Sequence, residues 1–303
     1  MLVALIGFGE VGTILARGLH AAGHEVRVYD VLLDDPARAA SLEAKAQGVG
    51  ATCCNSVREA VQGARVVISA VTTSSSTAVA QCAGEALREA QLFLDLNAVS
   101  PRTKRINAAA VERSGARYVE AAVMAPIGPA GMATPMLLGG SAASELRELL
   151  APAGMELEVF PGEIGSASAV KMCRSIMMKG LEALTVECLL TARRYGVEED
   201  IIATLERSYP QMHWDKLAGY LIGRAVQHGR RRAGEMREAA SMIEETGLAP
   251  FMAAATAQRQ DSIADLVGLA PELKLSEARA WRATLDRLAA LAQLRDLKTG
   301  IES

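Results

Sequence analysis

The chain has 303 residues, of which 50% are hydrophobic and 22% charged, a balance that excludes a disordered or fibrous protein and fits ordinary globular domains. Its length is about twice that of a usual domain, so two domains are expected. A formal net charge of -3 gives no electrostatic footprint for nucleic acid or an anionic membrane and leaves small molecules or protein surfaces as partners.

The first thirty residues change hydrophobic period twice. An apolar run Leu2 to Ile6 predicts a strand. A glycine-rich turn and a helical stretch from Gly12 to Ala22 follow, stopped by Gly23, and Val26 to Tyr29 predicts a second strand. Further strands are predicted at 66–70, 92–95, 118–123, 136–138 and 157–160, separated by helical stretches such as 75–90 and 103–114. This alternation predicts an α/β, Rossmann-type doubly wound sheet over residues 1–162. From Ala167 onward only helical periodicity is found, at 167–195, 198–208, 215–229, 233–246, 249–266 and 276–297, so an all-α domain is expected over 163–303, for substrate binding and dimerisation.

Five cysteines form no C-x-x-C pair, and the four histidines show no ligand spacing, so neither a disulfide framework nor a metal site is expected. The opening Met1 to Ile6 has no basic leader, and no apolar run reaches the roughly 18 residues of a membrane span. A cytoplasmic protein is expected.

Gly7-Phe8-Gly9-Glu10-Val11-Gly12 reads G-x-G-x-x-G between a strand and a helix. Gly7 permits the tight turn, Gly9 lets the backbone reach a pyrophosphate, and Gly12 brings helix and strand together. The helix N-terminus offers its N–H groups to the phosphates. Asp30 follows Gly12 by 18 residues at the end of the second strand, where an acidic residue binds the adenosine ribose hydroxyls. A carboxylate there repels a 2′-phosphate and favours NAD, while Arg38 keeps NADP open. Val71 and Thr72 are expected to line the adenosine side, and Asn97, just past a strand end, the nicotinamide side.

With Gly7 to Gly12, then Asp95-Leu96-Asn97-Ala98-Val99-Ser100-Pro101, then Gly165 and Lys171, the chain resembles the β-hydroxyacid dehydrogenase superfamily, which includes 3-hydroxyisobutyrate and 6-phosphogluconate dehydrogenases. Lys171 to Leu184 and Arg231 to Met236 resemble the 6-phosphogluconate-dehydrogenase-like branch with its own helical C-terminal domain. The resemblance spans nearly the whole chain. It implies reversible oxidation of a hydroxy acid or sugar acid with NAD or NADP, a homodimer, and Lys171 as the catalytic lysine.

Three positions depart from the family pattern. Where the family's carboxylate-binding loop reads D-A-P-V-S-G-G, this chain has Glu120-Ala121-Ala122-Val123-Met124-Ala125-Pro126, which removes the usual donors. The two asparagines three and four residues after the lysine are Arg174 and Ser175, and the K-D-L element reads Gly234-Glu235-Met236 with the positive charge moved to Arg230, Arg231 and Arg232. The 6-phosphogluconate enzymes carry a glutamate seven residues after the lysine; here it is Met178, so simple oxidation is expected over decarboxylation.

Lys171, Ser175 and Glu182 share a helical face, with Lys179 flanking it. Val170, Cys173, Met177, Leu181 and Leu184 form an apolar stripe expected to face the core. Oxidation of a secondary alcohol needs a group to accept the hydroxyl proton, and a lysine does so when desolvation and nearby cations, here Arg174, Lys179 and the helix N-terminus, lower its pKa. Ser100, Met124, Arg174, Ser175 and Lys179 are the substrate-side candidates, the substrate being small and acidic or hydroxylated. The alternatives are an imine reductase, whose family generally lacks the lysine, and a non-catalytic NAD-binding protein.

Overall fold

A computed structural model of the chain describes residues 1–299, which form two compact units, Met1–Met172 and Cys173 onward. In the first, β1 (Leu2–Ile6), α1 (Glu10–Ala21) and β2 (Glu25–Tyr29) make the opening parallel βαβ unit. Next come α2 (Pro36–Gln47), β3 (Ala51–Cys53) and α3 (Val57–Val61), for which the sequence reading named no element. β3 has three residues, too few for a period. α2 is polar and rests on local chemistry: Asp35 accepts the Ala37 N–H at 3.0 Å, and Pro36 stands where a missing N–H costs nothing.

The chain continues through β4 (Val66–Ser69), α4 (Ser76–Ala86), β5 (Leu92–Asp95), α5 (Pro101–Glu112), β6 (Arg117–Val123), α6 (Ile127–Ala130), β7 (Met136–Gly139), α7 (Ala143–Leu150) and β8 (Leu157–Val159). The strands form one sheet in the order β3-β2-β1-β4-β5-β6-β7-β8, parallel except where β7 meets β6. Strand alternation divides the core between the two faces. Val3 and Leu5 of β1 pack with Leu15 and Leu19 of α1, whereas Ala4 and Ile6 pack with Ala80, Ala83 and Val111 on the other side. Truncating one of these fully buried leucines costs about 2–5 kcal/mol. The order of strands reverses at β1, so the crevice between the carboxyl ends of β1 and β4 is the ligand position of an open α/β sheet.

The helical part consists of α8 (Ser166–Tyr195), α9 (Glu198–Ser208), α10 (Trp214–Glu245), α11 (Phe251–Leu269) and α12 (Trp281–Thr299). The two helices expected at 215–229 and 233–246 are one. Gly229 does not break α10 but lets α11 approach, since a Cβ there would lie 2.8 Å from the carbonyl oxygen of Gln260. The helix expected to begin at 276 begins at Trp281, after short 3-10 turns.

The apolar stripe of α8 is also corrected. Val170, Met177 (73% exposed) and Leu184 (54%) face outward from the chain, and the inward face carries Lys179, Glu182, Val186 and Leu189. Buried ion pairs on that inward face explain the inversion: the polar residues have partners inside. Among the described residues no helix is long and apolar enough to cross a membrane, and no group of three His, Cys, Asp or Glu side chains is arranged to hold a metal ion.

Candidate functional site

The glycine-rich turn has the steric form its motif requires. Gly7 has φ +95°, and a Cβ on it would lie 2.4 Å from the carbonyl oxygen of Ala70; one on Gly12 would lie 2.1 Å from that of Gly7. Gly9 is different, because among the described residues no atom lies within 4 Å of an added Cβ and no side chain caps the first turn of α1. Open space beside an uncapped helix N-terminus fits a dinucleotide pyrophosphate. Glu10 is exposed and Val11 half-buried. Phe8 is buried, and its carbonyl accepts a hydrogen bond from Lys45 Nζ at 2.9 Å while that ammonium sits 4.8 Å from the Phe8 ring centroid. Lys45 lies on the polar α2, and no motif in the sequence connects it with the turn.

Asp30 is held at the end of β2 by two backbone donors. Its Oδ2 accepts the Phe8 N–H at 2.7 Å and its Oδ1 the Leu32 N–H at 3.0 Å. Each oxygen keeps a further lone pair, so a half-buried, oriented carboxylate remains available to hydroxyl groups. Arg38, the group that kept NADP open, lies 3.5 Å from Asp35 on the exposed side of α2.

Val71 and Thr72 follow β4, beside the glycine-rich turn. A Cβ on Gly7 would lie 2.9 Å from Val71 Cγ1, so Val71 covers the glycine-rich turn at the strand-order switch. Thr72 is exposed and bonded to Ser74 and Ser75 at 3.1 and 2.9 Å. Asn97 is only 4% exposed. Its Oδ1 accepts the Val71 N–H at 2.8 Å and its Nδ2 donates to Ser69 and Ser76 at 3.0 and 3.3 Å. The Asn97 side chain is therefore a staple between two turns.

Among the substrate-side candidates, Ser100 is the N-cap of α5, its Oγ accepting the Thr103 N–H at 3.2 Å. Met124 is half-buried and continues the strand pairing, its N–H donating to Pro135 O at 2.9 Å. The loop after it turns toward α1, where a Cβ on Gly128 would lie 3.2 Å from Glu10 Oε1.

Lys171 lies half-buried in the second turn of α8, within the first compact unit. The start of this helix is fixed by Glu120, a fully buried carboxylate on β6. Its Oε1 accepts the N–H groups of Gly165 (2.7 Å) and Ala167 (3.2 Å), and its Oε2 accepts the N–H (3.3 Å) and hydroxyl (2.6 Å) of Ser168. The positive end of α8 therefore faces the buried Glu120 carboxylate.

In the helical unit Arg174 is exposed and Ser175 half-buried, while Lys179 is buried and paired with Glu235 at 2.8 Å. The three guanidinia of 230–232 diverge. Arg230 meets Asp261 and Asp265, Arg231 meets Glu235 at 2.7 Å, and Arg232 is buried against Glu182 at 3.0 Å. They do not form one anion-binding patch.

These features agree with the comparisons with known proteins. Residues 2–161 match the NAD-binding domain of 6-phosphogluconate dehydrogenase, and residues 192–263 match a domain of unknown function, DUF1932. A conserved hypothetical protein from Sinorhizobium meliloti 1021 is 36% identical, with a TM-score of 0.82 and 96% of each chain covered. A conserved protein of unknown function with structural similarity to 3-hydroxyacid dehydrogenases is 32% identical, with a TM-score of 0.73, covering 88% of this chain and 97% of the other. The 3-hydroxyisobutyrate dehydrogenase of Pseudomonas aeruginosa is 27% identical over 225 residues, 70% of this chain and 71% of that enzyme. The chain belongs to the family defined by the NAD-binding domain of 6-phosphogluconate dehydrogenase, a family of NAD(P)-dependent oxidoreductases, here followed by a DUF1932 helical domain.

Proposed function

We propose that the protein is an NAD-dependent dehydrogenase of a small hydroxy acid or sugar acid in which Lys171 is the general acid and base. The observation that carries this reading is that Lys171 belongs to the same compact unit as the glycine-rich turn and Asp30, on a helix whose first turn Glu120 bonds to the sheet. The bound nicotinamide supplies the hydride acceptor. The neutral amine of Lys171 takes the hydroxyl proton as the carbonyl forms, and the resulting ammonium returns it in the reverse direction. Ser175, four residues on, orients the substrate hydroxyl. Without the Ser-Gly-Gly clamp, the substrate differs from that of the 3-hydroxyisobutyrate enzymes. Asp30 selects NAD by accepting from the ribose hydroxyls and repelling a 2′-phosphate.

The outward apolar stripe of α8 supports a homodimer, in which a second copy covers Met177 and Leu184. Light scattering at micromolar concentration should give twice the 32.0 kDa of the chain; a clean monomer overturns the dimer.

The test of function is reduction of NAD by a panel of 3-hydroxy acids and aldonic acids, followed by absorbance of the reduced nicotinamide. Turnover of at least one acid, with NAD bound about tenfold more tightly than NADP, is the expected result. Binding of NADH with no acid oxidised and no oxo acid reduced overturns the dehydrogenase reading. Equal affinity for NADPH overturns the role of Asp30.

A further inference from the structure

The carboxyl ends of β4 and β5 rest on a polar network with almost no contact with solvent. At its centre is an ion pair, Lys104 Nζ to Asp95 Oδ1 at 3.0 Å, with side chains 0% and 1% exposed. Lys104 also donates to the Asp95 carbonyl at 2.8 Å, which clamps the last residue of β5 by backbone and side chain together. The remaining acceptor capacity of Asp95 is filled by the Tyr118 hydroxyl (2.6 Å), Asn107 Nδ2 (3.1 Å) and the Asn97 N–H (2.8 Å).

From here the geometry passes outward. The Asn97 N–H bonded to Asp95 sets the turn from which the Asn97 side chain reaches the Val71 N–H, so the turn after β5 fixes the turn after β4. Ser76, at the start of α4, closes the circuit by accepting from both Asn97 and Asn107, at 3.3 and 2.9 Å. Burial alone pushes the Asp95 carboxyl upward, but the Lys104 charge and the hydrogen bonds to Asp95 outweigh it and hold the carboxyl below its ordinary value. The Asp95 carboxyl thus stays ionised.

Fold stability alone does not call for such a pair, because well-packed apolar residues commonly replace a buried ion pair without loss. The place of this one is informative. Asp30 marks the adenosine half of the cradle at the end of β2, and the dinucleotide crosses the crevice where the strand order reverses. The turns after β4 and β5 therefore lie under the other half. We infer that the buried Asp95–Lys104 pair, acting through Asn97 and Ser76, is a positioning device for the nicotinamide half of the cofactor.

The test compares NADH with ADP-ribose, which lacks the nicotinamide, by calorimetric titration of wild type, the Asp95→Asn/Lys104→Met double variant and Ser76→Ala. Cofactor binding is the readout, so it is independent of the substrate. The double variant removes both charges at once, and Ser76→Ala removes one acceptor and keeps the pair. The expected result is a Kd for NADH about tenfold higher in the double variant and about threefold higher in Ser76→Ala, with ADP-ribose affinity within about twofold of wild type. Parallel loss of both ligands makes the network a general structural element and overturns the inference. So does unchanged NADH affinity in a folded variant. Should the double variant fail to fold, Ser76→Ala decides by the same criterion.

Discussion

Each unit of the molecule buries an acid against a base, and the two pairs are of different quality. Asp95 and Lys104 in the sheet unit are surrounded by close donors, and the Asp95 carboxyl is held below its ordinary value. Glu182 and Arg232 in the helical unit are 3.0 Å apart, with side chains 1% and 8% exposed, yet burial pushes the Glu182 carboxyl up and outweighs the attraction of Arg232, Lys179 and Arg224. Gln260 adds one donor at 3.2 Å, and among the described residues Arg232 Nε and Gln260 Oε1 have no hydrogen-bond partner; in the sheet unit the neutral Asn107 Oδ1 is likewise unpartnered, but both oxygens of Asp95 are bonded. A buried charge is held well only when its hydrogen-bonding capacity is filled from several elements, which the end of β5 provides and the packed faces of α8, α10 and α11 do not.

The sharpest way to break this comparison is to remove one partner from each pair. Lys104→Met leaves Asp95 buried without its countercharge and should lower stability by about 3–5 kcal/mol in chemical denaturation. Glu182→Gln replaces a carboxylate already disfavoured in its site and keeps an acceptor for Arg232, so the loss should be about 1–2 kcal/mol. Equal losses would mean that the two pairs contribute alike.

A smaller effect separates them by pH. The folded pKa of Asp95 lies below its unfolded value, so its contribution is present above the unfolded pKa and is lost as pH falls through the folded one. Glu182 runs the other way: its folded pKa is raised, so its contribution is present below the unfolded pKa and is lost as pH rises through the folded value. Stability of wild type relative to the Asp95→Asn/Lys104→Met double variant should therefore fall as pH is lowered into the carboxylate range. Relative to Glu182→Gln it should rise. The same slope in both comparisons contradicts the assignment.

What was legible in the sequence follows the same division. The glycine-rich turn, Asp30 and the alternating strands could be read because backbone geometry dictates residue type there: Gly7 and Gly12 admit no Cβ, and buried parallel strands demand continuous apolar runs. Lys104 and Asn107 looked like surface residues by type, yet their period held a signal. They share the inner face of α5 with Ala108 and Val111, so helical spacing alone placed two polar groups in the core. Glu120 carried a comparable signal as the acid inside the apolar run 118–123. The inverted face of α8 had none, because its inward polar residues find partners on α10, 50 and 56 residues away in the chain. Arg230 to Arg232 read as one basic cluster, but successive residues on a helix point about 100° apart, and each found its own carboxylate.

The central claim is that Lys171 moves the proton while the sheet unit holds the dinucleotide, and the most direct measurement is steady-state turnover of Lys171→Met beside its affinity for NADH. The predicted result is a fall in turnover of about 10² to 10⁴ with NADH binding unchanged, and nearly the same loss in Lys171→Arg, whose guanidinium does not give up its proton. Turnover retained in Lys171→Met would contradict the account and remove Lys171 from the chemistry.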